Sequence, residues 1–291
     1  MIQYESDKYA RRRTARGCVR LTEESLYLSF SGVRVHFRVV RPEVPVRSRM
    51  LLLASPLITT FHWRKLLPEL SESGCLAVLA DYPGFGRSDP GAPQGADVRA
   101  NLLWGVLDEV DRGMGAPMSL WHLTGHGVAC ATILRMGVQY PDSVKSLVYI
   151  APLFSLPAGR RRELSPEQWF DENVPDPRRF KRAVERLAGY PLDDYIVDRM
   201  RAPLIRPGMR RTFQRMAHAS ATSPRPGVGF CPTIALMSGR DPLMDEARQA
   251  GIQPLLKDAE VHRLPTAGHF PMETHSRALR DYLRGWLRFN A

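Results

Sequence analysis

Apolar runs alternate along the chain with stretches whose apolar positions repeat every three or four residues, and this alternation is the first thing the sequence offers. Leu26 to Phe30 and Val33 to Val40, parted by Ser31-Gly32, predict two strands joined by a tight turn. Met50 to Ala54 and Leu76 to Ala80 are continuously apolar, as in strands covered on both faces, with a helix over about 62–73 between them. A loop from Asp81 to Asp89 follows, its Pro83, Gly84 and Gly86 suited to a tight turn at a strand end. A helix over 96–112, a strand over 119–123, a helix over 128–140 and a strand over 146–150 continue the series. Such alternation predicts an α/β fold built on a mostly parallel sheet flanked by helices.

Between Pro152 and Gly229 the periodicity becomes purely helical. Ser165-Pro166-Glu167-Gln168 carries a hydroxyl cap, Pro at the first helical position and Gln where a capping box needs it. Asp176-Pro177 opens a second helix with Phe180, Val184 and Leu187 on one face, stopping near Gly189. Further helices are expected over 193–201 and 208–220. Strands resume at Thr233 to Met237 and Glu260 to Leu264, and a helix over 275–288 closes the chain. The expected organisation is a basic arm (1–23), a core in two pieces (24–151 and 230–291) and an inserted helical cap (152–229).

Composition narrows the picture. A chain of 291 residues with 44% apolar content can bury a large core, and no apolar run is long enough for a membrane span or follows the basic start as a secretory signal would. A cytoplasmic protein without membrane contact is expected. Cys18, Cys75, Cys130 and Cys231 lack metal-ligand spacing, so neither a zinc site nor a disulfide framework is predicted, and no cofactor is implied. The net charge of +11 sits in residues 1–49 and 152–230, each +6, on a near-neutral remainder. Arg outnumbers Lys thirty-six to five, which fits solvated cations supplied by a GC-rich genome better than a nucleic-acid surface. Arg160, Arg161 and Arg162 read as solvated too, or as the place where an acidic carrier protein would dock. Oligomeric state is not legible.

Four motifs carry the chemistry: Asp81 to Asp89, Gly125-His126-Gly127-Val128-Ala129, Gly239-Arg240-Asp241 and Gly268-His269-Phe270. In this order around a helical insertion, they resemble the α/β-hydrolase superfamily, particularly its capped branch of haloalkane dehalogenases, epoxide hydrolases and related esterases. Trp63-Arg64 with Leu67-Pro68-Glu69-Leu70 resembles the same branch. The resemblance implies an eight-stranded sheet, a nucleophile elbow at the 125–129 turn, and a site in which Asp241 orients His269. The elbow's central residue is Gly127, which has no side chain to attack with. Counted back without gaps from Trp63-Arg64, the family's His-Gly-x, whose last amide forms half of the oxyanion hole, falls on Ala54-Ser55-Pro56, and Pro56 has no N–H; a shift of one residue would return the amide of Ser55 or Leu57. Val128 would supply the other amide.

Other residues near the elbow have competing readings. Cys130 is a displaced nucleophile or a packed thiol, His126 a catalytic or a packing group, and Ser55 a hydroxyl donor to a substrate oxygen or a loop residue. His122 reads as a satisfied core histidine. The first functional reading is an enzyme lacking the nucleophile, with His269 and Asp241 performing acid/base or positioning catalysis of lyase, decarboxylase, isomerase or cyclase type on a small apolar substrate, in secondary metabolism. On that reading Gly127 is a vacated catalytic position that enlarges the pocket. The alternatives are a ligand- or protein-binding module, and a hydrolase with a mutated serine or a His-activated water.

Overall fold

The computed structural model describes residues 7–8, 22–30, 32–115, 120–154, 165–219 and 231–290. The predicted hairpin is β2 (Thr22–Phe30) and β3 (Val33–Arg41), turning at Gly32. The buried runs become β4 (Ser48–Leu53), β5 (Cys75–Ala80), β6 (Trp121–His126) and β7 (Val144–Ile150), followed after the insertion by β8 (Thr233–Ser238) and β9 (Glu260–Leu264). These eight strands form one sheet in the order β2-β3-β5-β4-β6-β7-β8-β9. β2, β3 and β5 pair antiparallel, and every pairing from β5 through β4 to β9 is parallel. A two-residue strand, β1 (Asp7–Lys8), extends the β2 edge, so the arm contributes a short ninth strand that its lack of periodicity did not announce.

The helices fill the intervals as expected, with two local differences. The predicted single helix over 62–73 is a 3-10 turn (Thr60–Lys65) followed by α1 (Leu67–Glu72). Pro68 has no N–H to donate back into the preceding turn, so the 3-10 turn ends and a new helix starts with proline in its first turn. β6 runs on to His126, three residues beyond the predicted end, because Thr124, Gly125 and His126 are fully buried polar or small residues still paired to β7.

α2 (Ala96–Gly113) packs on α3 (Ala129–Gln139), and α1 on the closing helix α10 (Ser276–Phe289), which the short α9 (Pro271–Thr274) precedes. α8 (Glu246–Ile252) lies between β8 and β9.

Four helices stand between β7 and β8: α4 (Pro166–Asn173), α5 (Pro177–Ala188), α6 (Asp194–Arg201) and α7 (Met209–Ala219). Ser165 and Gln168 form the capping box at α4, Asp176 caps α5, and Gly189 ends it. Phe180, Val184 and Leu187 are buried along one face of α5, each contributing about 2 kcal/mol of apolar burial. That face brings the end of α5 down onto the loop after β9. The triplet Arg160 to Arg162 lies outside the described residues. Among the described residues, no helix is long and apolar enough to cross a membrane.

Candidate functional site

β6 delivers the chain to a sharp turn whose central residue, Gly127, has φ +57°. An L-residue there would meet a cost of about 1–2 kcal/mol from its Cβ, which glycine avoids. The turn is pinned from both sides. Gly127 N–H donates to Ile150 O at 3.0 Å, and Gly127 O accepts from the N–H groups of Cys130 (3.1 Å) and Leu153 (3.0 Å). Val128 is the cap residue of α3, and its amide has no hydrogen-bond partner among the described residues.

The histidine and the acid arrive from the carboxyl ends of neighbouring strands. Asp241, after β8, accepts from Leu243 N–H through Oδ1 at 2.9 Å and from His269 Nδ1 through Oδ2 at 2.7 Å. Both residues are buried. A carboxylate can only accept, so Nδ1 carries a proton, and in the neutral imidazole Nε2 is bare. Nε2 faces the elbow: a Cβ built on Gly127 would stand 3.2 Å from Nε2, 3.4 Å from Cε1 and 3.6 Å from Ser55 Cβ. The structure therefore brings Gly127, His269, Asp241 and Ser55 together. The imidazole and Ser55 flank the space that a side chain at Gly127 would enter.

The insertion holds this histidine in place. His269 N–H donates to Leu187 O, near the end of α5, at 2.7 Å. A side chain at Gly268 would meet Ala188 O at 2.3 Å, so only glycine allows the end of α5 to approach the histidine loop. Leu187 O and the close approach at Gly268 were not legible in the sequence, because both are backbone contacts between distant segments. On the other side, Arg64 and Lys65 of the 3-10 turn clamp the Glu273 carboxylate of α9, four residues beyond His269, at 2.5 Å and 3.0 Å.

The loop after β4 supplies Ser55 to the elbow. The gap-free count put Pro56 in line, but Ser55 is the residue of this loop among the three nearest to the Gly127 Cβ position, because Ser55 Oγ is tied to His126 Nδ1 at 2.8 Å. His126 Nε2 in turn reaches the carbonyl oxygen of His269 at 2.6 Å. A carbonyl accepts, so Nε2 holds the His126 proton. Burial, with His269 beside it, pushes His126 well below the usual imidazole value despite the bond to that carbonyl, and the ring is neutral with Nδ1 bare. Ser55 therefore donates its hydroxyl proton to His126. This reverses the expectation of Ser55 as a donor to substrate, because its one hydroxyl proton is committed to His126.

The remaining candidates are structural. Cys130 is fully buried, its Sγ against Gly125 O at 3.1 Å, and burial raises its thiol far above the usual range, which suits packing and not attack. His122 is hydrogen-bonded to Ser146 Oγ at 2.7 Å and pushed down to about 4 by burial and by Lys145, as a satisfied core histidine should be. A second Ser-His-Asp chain runs from Ser25 Oγ through His36 to Asp81, at 2.9 Å and 2.7 Å. Asp81 also accepts from Thr60 N–H and Arg87 N–H, and these bonds with His36 overcome its burial to keep it below the usual carboxylate range. That carboxylate organises the 81–89 loop. Sequence reading missed His36 because it lies inside an ordinary strand pattern. Among the described residues, no group of three or more His, Cys, Asp or Glu side chains could hold a metal ion.

Residues 58–282 match the family described as alpha/beta hydrolase. Among solved structures, the chain is similar to 2-hydroxy-6-oxo-6-phenylhexa-2,4-dienoate hydrolase (BPHD) from Rhodococcus sp. strain RHA1, with 17% identity, TM-score 0.74, and 92% of this chain and 99% of that chain covered. It is also similar to wild-type Cfl2 from Burkholderia cenocepacia (21% identity, TM-score 0.67, 95% and 99% covered) and to the epoxide hydrolase CorEH (17%, 0.66, 90% and 97%).

Proposed function

The chain belongs to the alpha/beta hydrolase family, and from that premise we propose that it is an enzyme that works without a covalent nucleophile, with His269 as the general base and acid and Asp241 fixing its tautomer. One observation carries the reading. His269 keeps the position and hydrogen bond of a catalytic imidazole, 2.7 Å from Asp241 and 3.2 Å from the Gly127 Cβ position, while the residue it would activate has no side chain. A buried base held at one point over a closed turn can take a proton from a small apolar substrate and return it elsewhere. Holding a reactive conformer away from water supplies part of the barrier reduction. Lyase, decarboxylase, isomerase and cyclase chemistry all need these elements and no acyl-enzyme.

A second reading is hydrolysis by a water that His269 activates. Two structural neighbours named as hydrolases, BPHD and CorEH, favour it, as does the Nε2 beside the elbow. Both readings exclude a covalent enzyme intermediate. The test is exposure of the native protein to a fluorophosphonate probe, followed by intact mass and peptide mapping, together with turnover of a panel of small hydroxy and carbonyl compounds. The expected result is an unmodified protein that turns over substrate and loses turnover as His269→Gln. A stoichiometric adduct on Ser55 or another residue of the site would contradict the proposal. Turnover of none of the panel, with a ligand retained in the site, would favour a binding module instead.

A further inference from the structure

Two atoms beside the elbow, Ser55 Oγ and His269 Nε2, have their proton balance fixed by the hydrogen bonds behind them. Ser55 has committed its hydroxyl proton to His126 Nδ1 at 2.8 Å, since His126 Nε2–H is engaged by the His269 carbonyl at 2.6 Å. His269 has committed its Nδ1 proton to Asp241 at 2.7 Å, which leaves Nε2 with a lone pair only. In a relative with serine at the elbow, the nucleophile's own hydroxyl gives Nε2 its hydrogen bond. Gly127 cannot. Nε2, 3.2 Å from the Gly127 Cβ position, makes no hydrogen bond to the described residues, so what binds over the turn can supply the donor that a serine would have given.

We infer that the substrate of this site carries a hydroxyl or N–H group that donates to His269 Nε2, with Ser55 Oγ as the neighbouring acceptor, and that compounds offering only acceptors bind poorly. Simple esters, epoxides and ethers belong to the second class; alcohols, enols and amines belong to the first. The inference rests on the reading of His269 as the base of a nucleophile-free site. For an alcohol the step balances as follows. The substrate O–H bond breaks, its proton moves to Nε2, and the electron pair stays on oxygen as an alkoxide beside the imidazolium that Asp241 stabilises. The Val128 amide, without a partner among the described residues, is a donor available to that oxygen as its charge grows. As the oxygen pair forms a C=O bond, a bond from the carbinol carbon to a neighbouring carbon breaks, and the departing fragment keeps that electron pair and takes the proton back from Nε2–H.

The test uses the full chain labelled with 15N-histidine, titrated with benzyl alcohol and its matched methyl ether, and then with other small alcohols and their ethers. Before addition, the ring resonances should report Nδ1–H for His269 and Nε2–H for His126. Alcohols should shift the His269 Nε2 resonance and bind about two- to tenfold more tightly than the ethers, the range of one neutral hydrogen bond. Ser55→Ala should free His126 Nδ1 and move its resonance, and Ser55→Thr, which keeps the hydroxyl, should restore both. Ethers binding as well as alcohols, or no alcohol in the panel moving His269 Nε2, would overturn the inference. Failure here is distinct from failure of the functional reading. Equal binding of ethers alongside loss of turnover in His269→Gln removes the donor requirement only, whereas a donor preference without any turnover removes the enzyme and leaves a receptor for alcohols.

Discussion

Gly127→Ala puts the tightest part of the account under test. Two costs add at this position. Its φ of +57° is a backbone region in which a Cβ costs about 1–2 kcal/mol. The new methyl would also stand 3.2 Å from His269 Nε2 and 3.4 Å from Cε1, closer than side-chain carbons normally pack. The imidazole must move by a few tenths of an ångström, and its 2.7 Å bond to Asp241 resists that movement. Together these give about 1–3 kcal/mol of destabilisation. In a chain of this size each kcal/mol shifts Tm by about 2–4 °C. Urea and thermal unfolding of the variant should be compared with Gly91→Ala, whose added methyl meets nothing within 4 Å. The control should fall within about 0.5 kcal/mol of the parent. If Gly127→Ala is as stable as the control, then neither the strained turn nor the close imidazole exists as described.

Three other outcomes follow from the packing. His62 and His122 are buried and pushed down to about 4 from 6.5, so the unfolded chain binds more protons between those values; stability should be full above pH 6.5 and fall toward pH 4, by on the order of 3 kcal/mol per histidine, read by urea unfolding at several pH values. Glu273→Ala should cost about 2–3 kcal/mol and lower the urea midpoint at constant slope, because it strips Arg64 and Lys65 of their shared buried carboxylate while both cations keep some solvent. Gly268→Ala, whose methyl would meet Ala188 O at 2.3 Å, should cost at least about 3 kcal/mol and reduce turnover more than Gly91→Ala, since it pushes the end of α5 off the histidine loop.

Much of this architecture is written in short-range signals. The apolar runs at Met50, Leu76 and Ser146 become strands because burial on both faces demands nothing else of them, and the Ser165 and Asp176 caps start their helices where the side chains can reach the first free amides. Asp241 and His269 were legible because Gly239-Arg240-Asp241 and Gly268-His269-Phe270, in that order after the elbow, resemble the family's acid and histidine loops. What local pattern could not supply was the direction of hydrogen bonds between distant segments. Ser55 faces Gly127 in place of Pro56 because His126 holds it there, and its role as acceptor follows from a carbonyl 143 residues away from that histidine in sequence. Likewise the ninth strand at Asp7–Lys8 depends on an available edge at β2 and not on its own periodicity.

The central claim is that His269 does the chemistry at an elbow with no nucleophile. The most direct measurement is kcat/KM of His269→Gln against the parent on a substrate carrying a hydroxyl, with Gly127→Ser measured alongside. The account predicts a fall of about 10²- to 10⁴-fold for His269→Gln, the usual contribution of a positioned acid–base group, and no gain for Gly127→Ser. Unchanged turnover in His269→Gln, or robust ester hydrolysis gained by Gly127→Ser, would contradict it.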